Sequence, residues 1–428
     1  MKNDVVTRFA PSPTGLPHLG TAMYALLNYL YAKQKEGKVI MRSEDTDPVR
    51  SKREYEEAII ADLKWLGIES DEFYRQSERT EIYKKYIKQL IDSGNAYLSP
   101  EQANDGGPMR DVVRFKNPNK VVTFDDLVRG SISVDTSDLH DFVIARDMES
   151  PLYHLTVVAD DYEMRVTHII RGEDGLANTA RQILIQEALG APRPIYCHYP
   201  FILNTDRQKM GKRNGAVGIG EYRAEGYLPE ALLNFTLLLA WHPKDDRELF
   251  TLPEMIEEFE LERISKSGAI FDQAKLNWLN REYMRKLTPE KLLEKAGSFL
   301  PNPESAKFLP LLLERIDKFS DIREMLDADG EYGFLLHKPE ITKELLLGKS
   351  GASVEEVKRH LQFILENGPE KESVWDYATK EGRGKVLWPM RVALSGREKS
   401  PDPFTLAQYL GEEETMVRLE GAKKILDN

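Results

Sequence analysis

The N-terminal part of the chain alternates short apolar runs with longer segments of helical periodicity. Apolar residues at 5–10 and 39–41 predict strands, while the spacing at 22–35, 51–65 and 79–92 predicts helices. The helix over 51–65 carries Tyr55, Ile59 and Leu63 on one face and is followed by Gly67. Such alternation predicts a doubly wound parallel sheet that binds ligands at the carboxyl ends of its strands.

The pattern changes twice further along. Over 96–147, short β-rich runs separated by Asp, Asn and Gly predict a small inserted antiparallel α+β module. Strand–helix alternation returns with a strand at 167–170, a helix at 176–189 and a strand at 195–203. Beyond residue 219 the pattern is helical, with predicted helices at 229–240, 252–260, 289–299, 310–326, 354–366, 374–380 and 404–410.

These shifts predict the domain organisation. We expect a Rossmann-type domain over 1–95 and 148–220, interrupted by the module at 96–147. A helical connecting domain over 221–285 follows, and an all-α region over 286–428 is expected to form two units with a break near 347–353.

Composition is typical of a globular protein outside the membrane. The 428 residues are 41% hydrophobic and 30% charged, and no apolar run has membrane-span length. Because no signal-like apolar segment follows Met1, and Cys197 is the only cysteine, we expect a cytoplasmic protein without disulfides or a cysteine-rich zinc site. The net charge of −12 argues against nucleic-acid binding over the whole surface but leaves room for a local basic groove.

Two segments predict phosphate binding. Residues 8–21 (RFAPSPTGLPHLGT) form a Pro/Gly-rich turn between a strand and a helix, where backbone N–H groups, the helix dipole and His18 favour an anion. Residues 209–213 (KMGKR) follow a strand and place cations where they can neutralise a departing pyrophosphate. Taken singly, the first is also compatible with an ordinary strand–helix turn and the second with a solvated basic loop.

The two segments resemble the signature motifs of class I aminoacyl-tRNA synthetases, in the form found in bacterial-type glutamyl-tRNA synthetases. The resemblance extends to RSEDTD at 42–47, YHL at 153–155, RGED at 171–174, GYLPEALLN at 226–234 and FDQAKLNWLN at 271–280. It reaches PMRVALSGR at 389–397 and therefore covers nearly the whole chain.

The resemblance implies a role for each candidate residue. For glutamate, it implies that Arg8 and Arg171 hold the side-chain carboxylate, that Glu44 takes the α-ammonium, and that Ala10, Ser12 and Tyr153 line the pocket. For ATP, it implies that the nucleotide is contacted by His18, Gly20, Asp174, Ile202, Lys209 and Lys212. His18, Gly20, Lys212 and Arg213 are the residues expected to assist catalysis.

The implied reaction activates glutamate with ATP and Mg²⁺ and then charges tRNA(Glu). The inserted module is expected to bind the acceptor stem, residues 221–285 to contact the stem, and the helical region to bind the anticodon. The sequence leaves open whether tRNA(Gln) is also charged. We expect a monomer with no membrane partner, no metal held by protein side chains, and no zinc, because the segment after Tyr97 lacks cysteine.

Two positions depart from the family pattern and keep alternatives open. Gly211 stands where the second motif usually has serine, and Val157 where an asparagine is frequent. Both fit a non-catalytic relative that binds tRNA or a nucleotide, and an unrelated nucleotidyltransferase could use the same phosphate elements. An archaeal or eukaryotic type, or a glutaminyl enzyme, is disfavoured because β-rich anticodon barrels are not predicted.

Overall fold

The computed structural model describes residues 5–102, 109–211 and 217–427. The strands are β1 Val6–Phe9, β2 Lys38–Ser43, β3 Glu72–Arg75, β4 Ala96–Gln102, β5 Met109–Phe115, β6 Val121–Asp126, β7 Gly130–Asp135, β8 Phe142–Ala145, β9 His168–Gly172 and β10 Ile195–Tyr199. Helices of the first compact unit, Met1–Tyr283, are α1 Leu19–Gln34, α2 Arg53–Trp65, α3 Thr80–Asp92, α4 Tyr153–Glu163, α5 Leu176–Leu189, α6 Ile219–Ala224, α7 Pro229–Ala240, α8 Leu252–Glu258 and α9 Gln273–Arg285, the last ending just past its boundary.

The centre of the first unit is parallel sheet. Strands β1, β2 and β3 pair in parallel in that order, and β9 pairs in parallel with β10. The backbone N–H of Thr167 donates to the carbonyl of Val6 at 2.9 Å, which connects β1 to the start of β9. The carboxyl ends of β1, β9 and β10 therefore lie near one another, as the doubly wound prediction requires.

Both faces of this sheet are covered. Ile40, Ile169 and Tyr196 pack into one apolar core with residues of α3 and α5. Their immediate neighbours, among them Met41 and Cys197, pack into a second core with α1 and α7. Because successive strand residues face opposite sides, this division shows that helices flank both faces, and it confirms the predicted α/β fold class.

The inserted segment is divided between two sheets, contrary to the prediction of one small antiparallel module over 96–147. Strands β4, β5 and β8 form an antiparallel sheet, but the hairpin β6–β7 joins β10 and extends the sheet that contains β9 and β10. The link is the pairing of Asp126 with Tyr196, reinforced by a 3.0 Å bond from the Leu127 N–H to the Tyr196 carbonyl. Local β-rich patterns do not reveal which sheet a strand joins, because pairing partners lie far apart in sequence.

The second compact unit, Met284–Asn428, has helices but no strand among its described residues, 284–427. They are α10 Pro289–Ala296, α11 Leu309–Leu312, α12 Asp321–Leu326, α13 Lys343–Leu347, α14 Val354–Asn367, α15 Lys371–Glu381, α16 Arg383–Ser395, α17 Pro403–Leu410 and α18 Glu412–Asp427. The single helix predicted over 310–326 is wrong, since α11 ends at Leu312 and α12 begins only at Asp321. The predicted break at 347–353 falls between α13 and α14.

Candidate active site

A cavity of about 550 Å³ opens at the carboxyl ends of β1, β9 and β10. Its wall contains these residues predicted to bind glutamate or ATP: Arg8, Ala10, Ser12, His18, Gly20, Glu44, Tyr153, Arg171, Asp174, Ile202 and Lys209. Residues separated by two hundred positions thus share one cleft. Lys212 and Arg213, the other predicted residues, lie outside the described residues.

Arg171, in β9, presents a constrained cation at the cavity wall. Its side chain is 6% exposed; Nε donates to Nε2 of His198 at 3.0 Å, and Nη2 donates to Thr179 Oγ1 at 2.8 Å and to the Gly175 carbonyl at 3.0 Å. The remaining nitrogen, Nη1, is buried and has no hydrogen-bond partner in the described part of the chain. An unpaired buried guanidinium nitrogen is costly unless an anionic ligand binds there.

Arg8, in β1, forms an ion pair with the buried carboxylate of Asp161. Its Nε lies 3.2 Å from Asp161 Oδ1, and its Nη1 donates to the Tyr24 hydroxyl at 3.1 Å. Arg42 donates to the same Asp161 oxygen at 2.7 Å. Burial alone raises the pKa of Asp161, but the two guanidinium groups more than offset it, so the net pKa lies below its ordinary value.

Glu44 follows β2 and lines the cavity beside these arginines. Arg42 Nη2 donates to Glu44 Oε1 at 3.2 Å, and the Glu44 side chain is 9% exposed. Burial raises the pKa of Glu44, and the neighbouring Arg42 and Arg8 counteract only part of that shift. One buried arginine therefore orients a carboxylate suited to an ammonium ligand, next to cations suited to a carboxylate.

His18 and Gly20 form the N-terminal turn of α1 at the cavity. The His18 N–H donates to Thr21 Oγ1 at 3.3 Å, which caps the helix. A Cβ at position 20 would lie only 2.9 Å from Cε1 of His18, so glycine is needed for the imidazole to lie over this turn. The same turn pairs with Gly218, because His18 and Gly218 form a β-bridge and the Ile219 N–H donates to the Pro17 carbonyl at 3.0 Å.

The second motif begins on the wall of the same cavity. The Lys209 ammonium lies 2.9 Å from Asp174 Oδ2 and 4.0 Å from the centroid of the Phe201 ring. The Met210 N–H donates to the Ile202 carbonyl at 2.8 Å, which fixes the start of the loop on the cavity wall. At Gly211 an added Cβ would meet nothing within 4 Å, so the space around it would accept a serine, the residue that the motif leads us to expect there.

The structure adds groups to the site that sequence reasoning does not identify. Asn178 and Tyr199 line the cavity. Asp161 and His198 lie behind it and contact Arg8 and Arg171, and Arg42 donates to Asp161. The available sequence signal for Arg42 was its place in the RSED segment, next to Glu44. Val157 is buried and does not contribute to the described cavity wall, so its difference from the family pattern does not alter the surface that a ligand would contact.

Family comparisons agree with this fold. The model for tRNA synthetases class I (E and Q), catalytic domain, matches residues 4–111 and 100–278, and that for an anticodon binding domain matches residues 281–423. The fold and the cavity therefore define a class I tRNA synthetase, as the sequence resemblance implies.

Individual relatives identify the branch. The glutamate–tRNA ligase of Aquifex aeolicus (strain VF5) is 41% identical over 92% of this chain and 93% of its own length. That of Thermodesulfovibrio yellowstonii is 37% identical over 99% of each. A crystal structure of a glutamate tRNA ligase from Elizabethkingia meningosepticum in complex with its amino acid has a TM-score of 0.89 at 30% identity, covering 99% of this chain and 100% of that one. The chain belongs to the glutamate–tRNA ligase family and is an aminoacyl-tRNA ligase.

Two other features are absent from the part of the chain that the structure describes. Within 5–102, 109–211 and 217–427, no group of three or more His, Cys, Asp or Glu side chains is arranged to hold a metal ion. Among the same residues, no helix is long and apolar enough to cross a membrane.

Proposed function

We propose that the cavity holds glutamate and ATP side by side, and that glutamate is recognised at both of its charged ends. Arg171 and Arg8 bind the side-chain carboxylate, and Glu44 binds the α-ammonium, with Ala10, Ser12 and Tyr153 forming the rest of the pocket. The observation that carries this assignment is the buried, unpaired Nη1 of Arg171 in a wall that also contains a carboxylate. Charged donors select a carboxylate over the amide of glutamine.

ATP is proposed to lie along His18, Gly20, Asp174, Ile202 and Lys209. Support comes from the α1 N-terminus, which supplies backbone donors and a favourable dipole for phosphates, and from the carboxylate of Asp174, which is suited to ribose hydroxyls. Mg²⁺ is proposed to enter with ATP as the counter-ion of its phosphates. No zinc site is proposed, since Cys197 is the only cysteine.

The chemistry then proceeds in two transfers. An oxygen of the glutamate α-carboxylate attacks the α-phosphorus of ATP, and the bond to the bridging oxygen breaks to give glutamyl-adenylate and pyrophosphate. A hydroxyl of the terminal ribose of tRNA next attacks the glutamyl carbonyl, loses its proton and releases AMP. No protein nucleophile is needed, because orientation and charge stabilisation supply the catalysis. On the sequence motif, Lys212 and Arg213 neutralise the departing pyrophosphate.

The remaining partners and domains are proposed on the same basis. Residues 96–147 contact the acceptor stem, 221–285 contact the stem below it, and 286–428 read the anticodon. The chain acts as a cytoplasmic monomer on tRNA(Glu). Charging of separately purified tRNA(Glu) and tRNA(Gln) with labelled glutamate tests whether the second acceptor is also used.

Pyrophosphate exchange into ATP, measured with and without tRNA(Glu), tests the assignment. We expect exchange with glutamate and none with glutamine. We expect Lys212→Ala to slow exchange at saturating glutamate far more than it weakens glutamate binding, because its charge is needed most in the transition state. Lys88→Ala, at an exposed lysine outside the cavity wall, is the matched control. A folded protein that supports no glutamate-dependent exchange would favour a non-catalytic relative.

A further inference from the structure

Arg171 has little freedom to reorient its guanidinium group. A guanidinium carries five N–H donors, one on Nε and two on each terminal nitrogen. The single Nε donor is used by His198, and both Nη2 donors are used by Thr179 and the Gly175 carbonyl. The donors left for a ligand are therefore those on Nη1.

The contact with His198 fixes the tautomer of that histidine. Because Nε of arginine always donates, Nε2 of His198 must accept and carries no proton. The ring proton is then on Nδ1, which donates to Asp126 Oδ2 at 2.6 Å. The His198 side chain is fully buried, and burial lowers its pKa, which keeps the ring neutral.

Asp126 is itself held as an acceptor. Its carboxylate accepts the backbone N–H groups of Val128 at 3.0 Å, Arg129 at 2.9 Å and His198 at 3.1 Å. Burial raises the pKa of Asp126, but these bonds and the one from the His198 ring lower it by more, so it stays ionised. An ionised carboxylate can only accept, so the imidazole can only donate toward it.

We propose that Asp126 and His198 are positioning residues for glutamate selection: they hold Arg171 so that Nη1 meets the side-chain carboxylate. This inference rests on the proposed role of Arg171. The order of the contacts is Asp126 to His198 to Arg171, and it joins the hairpin β6–β7 of the inserted segment to the amino-acid pocket. With Nη1 held toward the ligand, only donors face it, so the NH₂ group of a glutamine amide finds no acceptor, whereas a carboxylate presents only oxygens; a guanidinium that rotated away would leave that NH₂ unopposed.

Asp126→Asn is the most direct perturbation. With its oxygen kept on the Val128 and Arg129 amides, the new NH₂ group faces His198 Nδ1 and donates to it. The backbone N–H of His198 loses its 3.1 Å acceptor and keeps the retained oxygen at 3.4 Å. The ring proton then moves to Nε2, where it opposes the Nε–H of Arg171. A change of this kind reverses a tautomer without changing the volume of the side chain.

The assay is pyrophosphate exchange, with kcat and KM measured separately for glutamate and for ATP. We expect Asp126→Asn and His198→Phe to raise the glutamate KM at least about tenfold and to lower the preference for glutamate over glutamine, with the ATP KM within about twofold of wild type. His198→Gln should lie closer to wild type than His198→Phe, because its Oε1 can still accept from Arg171.

His168→Gln is the matched control. His168 is also a buried histidine, contacting Tyr31 at 3.1 Å and Thr167 at 2.9 Å, but it does not line the described cavity. We expect this variant to keep the wild-type KM for both substrates. Equal rises in both KM values for the His198 variants would show a general structural role and overturn the inference.

Arg171→Ala separates the inference from the proposed function. If Arg171→Ala raises the glutamate KM but Asp126→Asn and His198→Phe do not, the positioning role is wrong and the role of Arg171 stands. If Arg171→Ala itself leaves the glutamate KM unchanged, the proposed role of Arg171 is wrong. Should His198→Phe fail to fold, Asp126→Asn alone decides, because it keeps the size of the side chain.

Discussion

Asp161→Asn tests the buried charges beneath the amino-acid pocket. Asp161 lies 2.7 Å from Arg42 Nη1 and 3.2 Å from Arg8 Nε, and all three side chains are almost completely buried. Asparagine preserves the shape and one acceptor but removes the negative charge. Arg42 keeps contacts with Asp160 and Glu44, whereas Arg8 loses the only carboxylate it pairs with among the described residues.

The expected loss of unfolding free energy follows from leaving buried cations without a counter-ion. Removing one partner of a buried ion pair costs about 3–5 kcal/mol, and because Asn still accepts a hydrogen bond we expect about 3 kcal/mol. The first unit spans 283 residues, so its unfolding entropy is about 0.6 kcal/mol/K and the expected fall in Tm is roughly 5 °C. Since Arg8 is then less well held, we also expect the glutamate KM to rise about tenfold.

The contribution of Asp161 to stability depends on pH, and its pKa sets the direction of that dependence. Asp161 has a lowered pKa in the folded protein, so its contribution is fully present above the unfolded pKa of about 3.9 and is lost as the pH falls through the lower folded pKa. The difference in unfolding free energy between wild type and Asp161→Asn should be constant near neutral pH and shrink below about pH 4.

Thermal and urea unfolding, followed for the first unit, measure the effect. Glu57→Gln is the matched control, because its ion pair with Arg53 is exposed and is worth less than about 1 kcal/mol. An Asp161→Asn protein as stable as wild type at pH 7, with an unchanged glutamate KM, would refute the argument that this carboxylate supports Arg8.

Three further predictions concern other parts of the molecule. Gly20→Ala places a Cβ 2.9 Å from His18, so we expect pyrophosphate exchange to fall at least about tenfold. Gly220→Ala is the control, because Gly220 is also the second residue of its helix and the nearest atom to its added Cβ is 4.0 Å away, so it should keep full activity. Equal activities of the two variants would contradict this prediction. Burial raises the pKa of Glu44, and its charged form is needed, so the rise in the glutamate KM with falling pH should begin above the ordinary pKa of about 4.3. A flat profile down to that pH would argue against it. Arg418→Met removes hydrogen bonds to two buried carbonyls, so urea unfolding should show that the second unit is less stable by about 3 kcal/mol. Glutamate-dependent exchange at low temperature should stay unchanged. An unaltered unfolding midpoint would contradict the prediction.

Helices with a clear apolar face, or with strong end signals, were predictable from sequence. The predictions at 176–189 and 229–240 coincide with α5 and α7, where a positive-φ Gly190 ends one helix and Pro229 begins the other. In these segments local signals and tertiary packing favour the same structure.

Helices surrounded by core, or containing residues that usually break helices, were not predictable. The pattern gives no prediction for α4, which is buried from Leu155 to Asp161 and lacks a polar face, with β-branched residues at 156–158. In α16, Pro389 lies inside the helix and is itself buried, so tertiary packing outweighs a strong local signal.

In the candidate site, too, some residues were predictable from sequence and others were not. Residues on the cavity wall come from motifs at strand ends and helix starts, which the chain order reveals. The groups behind them do not: Asp161 lies 153 positions from Arg8, and Asp126 lies 72 positions from His198. No local pattern relates such pairs, because their contacts exist only once the sheets have formed.

Glutamate binding to the Arg171→Ala protein tests the central claim most directly, because that claim assigns the buried guanidinium to the substrate side chain. Titration of glutamate, with ATP binding measured on the same sample, should show a fall in glutamate affinity of about 100-fold and an unchanged ATP affinity. A folded Arg171→Ala protein that binds glutamate as tightly as wild type would contradict the account.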